Sequence, residues 1–266
     1  MARAPLVRPT DAPPRAHEIA TGSPERCPAV VPSGIPEART DVPRHVAIIM
    51  DGNRRWARGR GASELEGHAA GVEAIRGVLR HAVRRGIPVL TLYAFSRENW
   101  ARTDDEVVGL FGLLEQAIRS ETEELRAQGV RVRLLGRLDE LPHATRASIE
   151  SALAATADGG RLVLNIAFNY AGRTELVDAV RTIVRAGTPA ESIDESTISA
   201  ALYTGGMPDP DLVIRTGGEH RLSNFLIWQS AYAELVTTET LWPDFGPASL
   251  DDALAEYASR TRRFGR

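Results

Sequence analysis

The stretch "HVAIIMDGNRRWARGRG", His45 to Gly61, sets both the fold class and the chemistry to look for. His45 to Met50 is a continuous apolar run, the pattern of a short strand buried on both faces. It stops at Asp51-Gly52-Asn53, and Arg54, Arg55, Arg58 and Arg60 follow within seven residues. A carboxylate at a strand's end can hold a hard cation such as Mg²⁺, which binds through one or two carboxylates plus substrate phosphates. Gly52 would let backbone N–H groups approach a phosphate, and Arg55 offers a planar fork for it. The same residues also make an ordinary Asp-Gly-Asn turn with solvated arginines.

Outward from this run the chain alternates. Apolar residues at Val72, Ile75, Val78, Leu79, Ala82 and Val83 form a helical stripe within 67–85, ended by Gly86. Strands are predicted at 89–95, 130–136, 162–168, 211–215 and 235–238. Helices are predicted over about 107–125, 143–157, from about Glu175, and near 249–262. Continuously apolar strands alternating with helices argue an α/β fold, a mostly parallel six-stranded sheet covered on both faces. No internal repeat or linker interrupts 44–266, which reads as one domain.

Nine of the 16 prolines fall in residues 1–43, without sustained periodicity, so this segment reads as a disordered extension. A net charge of -3 gives no general reason to expect nucleic acid or an anionic membrane as partner. Anion binding must then come from local arginine clusters. The single cysteine, Cys27, excludes an internal disulfide framework, and no apolar run is long enough to span a bilayer. These features predict a soluble cytoplasmic protein.

In parallel α/β sheets, ligands bind beyond the carboxyl ends of the strands. The second strand ends in Ser96-Arg97-Glu98-Asn99-Trp100-Ala101-Arg102, where Trp100 taken alone reads as core. The fifth ends in Arg215-Thr216-Gly217-Gly218, followed by Arg221 and Ser223, with Ser223 placed near the start of a helix. Hydroxyl, backbone amides and guanidinium groups together suit a diphosphate. Glu234 follows an apolar run and offers a second metal carboxylate or a surface residue. No G-x-x-x-x-G-K-[ST] and no G-x-G-x-x-G after the first strand occur, which weighs against P-loop and dinucleotide enzymes. No Cys/His set suggests zinc.

"HVAIIMDGNRRWA", "GHAAGVEAI", "LTLYAFSRENWAR", "LNIAFNYAGR", "PDPDLVIRTGGEHRLSNFLIWQSAYAEL", "LWPDF" and "RRFG" resemble, in order, the motifs of the cis-prenyltransferases, the undecaprenyl diphosphate synthase-like family. The resemblance covers about 44–266. It implies Mg²⁺-dependent condensation of isopentenyl diphosphate onto an allylic diphosphate, forming Z double bonds. By position it implies that Asp51 holds Mg²⁺ and that Glu234 is a metal-site carboxylate. Gly52, Asn53, Arg55 and Arg102 resemble the residues around the allylic diphosphate, and Arg54, Trp56, Arg60, Glu98 and Trp100 are further candidates for substrate binding. Asn53, His68, Ser96 and Asn99 match positions for diphosphate positioning or proton removal. Arg215, Arg221 and Ser223 resemble the grip on isopentenyl diphosphate. Arg263 and Gly265 fit an R-x-G tail that reaches a neighbouring subunit, implying a homodimer. The family also implies a hydrophobic tunnel between the sheet and two long helices, with Ala94, Val130 and Leu162 at lining positions, and a peripheral membrane contact through the lipid product.

The chain departs from the family pattern in places. Arg54 stands where glycine is frequent, and Glu64 where many long-chain members carry an arginine for the allylic diphosphate. Arg54, Arg58 or Arg60 is left to offset Glu64. These features resemble short-chain members as much as long-chain ones, so a short or irregular terpenoid diphosphate synthase stays open. A non-catalytic accessory subunit fits less well, because Asp51, the Arg215/Arg221 pair and the R-F-G tail are all present.

Overall fold

A computed structural model describes residues 42–260, together with Ile35. Nearly all of the proline-rich stretch read as a disordered extension lies outside the described residues, as do Arg263 and Gly265.

Six strands form one sheet: β1 (His45–Ile49), β2 (Val89–Ser96), β3 (Val130–Leu135), β4 (Leu162–Tyr170), β5 (Leu212–Arg215) and β6 (Glu234–Thr237). Their order is β3-β4-β2-β1-β5-β6 and every pairing is parallel. The six predicted strands are all present, each within two residues of its expected bounds. β1 is the central strand. From it the chain moves to β2 on one side and later to β5 on the other, so a crevice opens at its carboxyl end.

Helices α1 (Asn53–Arg58), α2 (Glu64–Arg85), α3 (Asp104–Ala127), α4 (His143–Ala155), α5 (Gly172–Arg185), α6 (Glu195–Ala201) and α7 (Pro247–Ser259) connect the strands. α2 starts at a capping box in which Ser63 and Glu66 exchange hydrogen bonds, and ends at Gly86 with φ +75°. The period of two along β1 divides the core. Val46 and Ile48 join Leu90, Leu92, Leu164 and α2 on one face, while Ala47 and Ile49 join Tyr170, Val213 and Phe225 on the other.

A bulge breaks that period where it matters. The β2–β4 register shifts between Tyr93 and Ser96, and Asn169 opposite has φ +51°. Tyr93 therefore packs with Phe225 on one face, whereas Phe95 turns to Phe111 and Phe168 on the other. Bulges beside active sites re-aim side chains in this way.

Two short helices were not legible, and one expected helix is absent. In α1 only Ala57 is buried, and in α6 no residue is, so neither shows an apolar stripe. The helix expected from Ser223 does not form. Ser223, Asn224 and Leu226 have φ of 49°, 63° and 43°, and the segment is a series of turns.

Candidate active site

Asp51 follows β1 directly, and its carboxylate is gripped from both sides. Arg215 at the end of β5 donates NH2 to Oδ2 at 2.8 Å, and Arg55 on α1 donates NH2 to Oδ1 at 3.1 Å. The Thr216 hydroxyl fixes the backbone beneath, accepting from the Asp51 amide at 2.9 Å and donating to its carbonyl at 2.7 Å. Arg215 is 4% exposed and also reaches the Arg221 carbonyl and the Ser223 hydroxyl, at 2.5 and 2.7 Å. Its second role is thus to hold the β5 loop against Asp51.

Glycine is required at two points here. Gly52 has φ +115°, and a Cβ there would lie 2.8 Å from Leu241. Gly217 has φ +81°, and a Cβ there would lie 2.4 Å from Arg55 NH2, while its carbonyl accepts from Arg55 NH1 at 2.6 Å. The strained turn at Ser223 and Asn224 is tied to the β2 loop by Asn224 Nδ2, which donates to Glu98 at 2.8 Å. In that loop Asn99 accepts from the Ser96 amide at 3.0 Å. The strand ends of β1, β2 and β5 therefore converge on one edge, with guanidinium groups around a single carboxylate.

Beside Asp51, a polar relay joins α1, α2 and α3. Asn53 Nδ2 donates to His68 Nδ1 at 3.4 Å, and His68 Nε2 lies 3.2 Å from Glu106. Arg102 donates to Glu106 at 2.6 Å and lies 3.3 Å from His68 Nε2. Burial and then the charge of Arg102 lower the His68 pKa, with Glu106 opposing, so the imidazole is neutral at pH 7. Burial alone would raise the Glu106 pKa, but Arg102 and the hydrogen bonds from His68 and Arg102 leave it lowered. Arg54 donates to Glu64 at 2.7 Å, so the acidic residue in this rim is already neutralised by the arginine ten residues before it.

Below this edge lies an apolar cavity of about 200 Å³ between the sheet and helices α2, α3 and α4. Met50, Asn53 and His68 stand at its mouth, and Ala94, Leu114 and Ile166 line its walls. Ala94 is exposed although it belongs to a strand inside the sheet, because it borders this space.

The undecaprenyl diphosphate synthase family model matches residues 49–265, which include Asp51, the ends of β2 and β5, and the residues lining the cavity. The chain belongs to the cis-prenyltransferase family. It is 50% identical over 228 residues to an isoprenyl transferase of Heliobacterium mobile, covering 84% of this chain and 88% of that one. An isoprenyl transferase of Brucella abortus is 51% identical over 228 residues, 84% of this chain and 89% of that one. Among solved structures, lavandulyl diphosphate synthase from Lavandula x intermedia in complex with dimethylallyl diphosphate aligns with TM-score 0.83 and 38% identity, covering 86% of this chain and all 100% of that one. A probable undecaprenyl diphosphate synthase from Campylobacter jejuni aligns with TM-score 0.73 and 30% identity, over 84% and 99% of the two chains.

In this cis-prenyltransferase several sequence-derived positions fall elsewhere than expected. Glu234 opens β6 level with Leu212, which is itself level with Val46. Parallel register thus puts it five residues below Asp51 along the sheet, roughly 15 Å, where it pairs with Arg260 at 2.8 Å. The two carboxylates do not share a site within one chain. Trp100 is 7% exposed, packs on Phe95 and Phe111, and donates to Asn169 at 2.8 Å, which makes it core. Trp56 and Arg60 stack at 4.2 Å and both reach Asp244. Val130 and Leu162 are paired across β3 and β4 and fully buried in the core. The lining starts one pair higher, at Val132 and Leu164, on the same face. Arg221 is exposed and pairs with Glu219.

Sequence reading missed Thr216 and Glu106. Glu106 had a usable signal, since it follows Arg102 by four residues at the start of a helix.

Proposed function

We propose that this chain condenses isopentenyl diphosphate with an allylic diphosphate, forming a Z-configured polyprenyl diphosphate and releasing pyrophosphate, with Mg²⁺ as cofactor. The observation that carries this reading is the Asp51 carboxylate held between Arg55 and Arg215 directly above an apolar cavity. An anionic head and an isoprenoid tail need those two environments side by side.

No three His, Cys, Asp or Glu side chains gather into a metal set among the described residues. That fits Mg²⁺ held by Asp51 with diphosphate oxygens and water, the way this ion binds at phosphate sites. When bound, the ion neutralises charge on the departing pyrophosphate.

The chain's own groups divide the rest. Gly52, Asn53, Arg54, Arg55 and Arg102 surround the allylic diphosphate. Arg215, Arg221 and Ser223 take the diphosphate of isopentenyl diphosphate, and Arg221 has only an exposed glutamate to release. His68 is neutral and linked to Asn53, so it orients that amide rather than adding charge. Ser96, Asn99 and Glu98 tie the β2 loop to the Ser223 turn and fix the distance between the two diphosphates. The cavity below receives the growing chain. Four residues bear apolar surface that supports a homodimer: Val177, Val180 and Val184 form one stripe on α5, 48%, 52% and 67% exposed, and Tyr232 is 75% exposed. Among the described residues no helix is long and apolar enough to cross a membrane.

The test is incubation with labelled isopentenyl diphosphate, Mg²⁺, and dimethylallyl, geranyl or farnesyl diphosphate, followed by chromatography of the products. The expected result is a ladder of prenyl diphosphates from at least one primer. No product from any primer overturns the reading and favours an accessory subunit.

A further inference from the structure

The cavity is not walled evenly. On the sheet side its floor is packed, with Val130 and Leu162 fully buried below the lining pair Val132 and Leu164. Its sheet wall is apolar, built from residues such as Val132, Leu164 and Ile166. Away from the mouth, charged side chains reach it only along the seam between α2 and α3, at Arg76, Arg80, Glu121 and Glu124.

A second pocket of about 110 Å³ lies outside that same seam. Val72, Arg76, Leu113 and Ala117 line both spaces. These four are half-buried, whereas Ala69, Glu73, Gln116 and Ser120, which line only the outer pocket, are exposed. The partition between cavity and solvent is therefore one side chain thick. The contacts between the two helices also advance unequally here. From the His68–Glu106 contact to the Arg76–Glu121 contact the chain advances eight residues on α2 but fifteen on α3, about 12 Å against about 22 Å of helix.

Ion pairs close the gap beside Val72, Leu113 and Ala117. Arg76 donates to Glu121 and to Glu73, both at 2.5 Å, and Arg80 pairs with Glu124 at 3.0 Å. Arg76 is 33% exposed and Glu121 17%, so both charged heads can turn to water on a small displacement. Partly solvated pairs of this kind hold helices together weakly compared with apolar packing. The Arg76 Nε, buried and without a hydrogen-bond partner, marks the same point as poorly satisfied.

We infer that the α2–α3 seam at Arg76 and Glu121 is a lateral portal, through which the distal apolar end of a prenyl chain longer than the cavity leaves the interior. This rests on the proposed condensation. Arg76 stands two turns below His68, about 12 Å from the mouth. A chain that grows past this depth has Leu125, Gln128 and then the packed Val130–Leu162 pair ahead of it and a thin, hydratable wall beside it. The side wall yields first. Arg76 and Glu121 are then determinants of product length, although neither touches the reacting atoms.

The test places a polarity-sensitive fluorophore on Ser120→Cys in a Cys27→Ser background and follows its emission while the chain is elongated. Emission should shift to the blue only beyond a threshold chain length. Ala69→Trp fills the outer pocket without lining the inner cavity. It should lower the longest product by whole isoprene units and leave the first condensation rate unchanged. Arg76→Met, which removes the ion pair but keeps the volume, should lengthen the products. Emission that never responds, with an unchanged product ladder in Ala69→Trp, overturns the portal. If the wild-type protein forms no ladder at all, the condensation reading fails and the portal with it. A normal wild-type ladder indifferent to these changes overturns the portal alone.

Discussion

Asp51 has two guanidinium partners, which ties activity and local stability to one side chain. Asp51→Ala should reduce kcat/KM by roughly 100-fold or more, the scale of removing a preorganised charge from an active site. It also leaves Arg215, 4% exposed, short of its carboxylate, at a cost of about 1–3 kcal/mol in urea unfolding. Circular dichroism should show the fold retained. Wild-type turnover in this variant with Mg²⁺ present would sink the metal assignment. At the same scale, Arg54 and Glu64 illustrate what sequence left open. Their charges were readable, but that they neutralise each other depends on the chain between α1 and α2 bringing the two side chains together. Trp100 illustrates the reverse: its motif placed it among site residues, whereas the bulge in β2 places it among Phe95 and Phe111.

Strands explain the behaviour expected on acidification. His45 opens β1 fully buried, and its Nε2 meets the Thr91 hydroxyl at 2.7 Å, which in turn accepts from Asn165 at 2.9 Å. A polar row therefore crosses three neighbouring strands inside the core. Burial lowers the His45 pKa to about 4, against smaller opposing effects of the Pro208 carbonyl and Asp211. The unfolded chain binds its proton near pH 6.5, the folded chain only near 4. Stability is thus fully present above about pH 6.5 and is lost as pH falls from there towards 4. Between pH 7 and pH 5 the loss should be about 2 kcal/mol. Urea midpoints at the two pH values, compared with those of His45→Gln, measure it. An equal pH dependence in both proteins rules out His45 as the source.

The molecule as a whole has an apolar stripe with nothing covering it among the described residues. Val177, Val180 and Val184 recur at helical spacing along α5, and a second copy of the chain is the partner proposed for them. Val180→Glu should shift the sedimentation coefficient from dimer to monomer while leaving thermal unfolding of the protomer nearly unchanged. A monomeric wild-type protein at micromolar concentration would remove this face as the dimer contact. The same scale decides the fate of Glu234. Its strand lies at the sheet's edge and its carboxylate faces Arg260, five residues below Asp51 in register.

Local signals were enough for the six strands, the long helices and the carboxylate at the end of β1. Apolar runs, glycine stops and a capping box act within a few residues, and each is written in consecutive positions. The short helices α1 and α6 escaped because they bury almost nothing, and the turn at Ser223 was misread because its left-handed residues are not glycine. What tertiary structure alone decided was depth and partnership. It set how far Glu234 sits from Asp51, which of Val130 and Val132 borders the cavity, and which side chains of α2 and α3 meet. Those depend on strand register and helix packing, which are fixed by contacts between residues far apart in the chain.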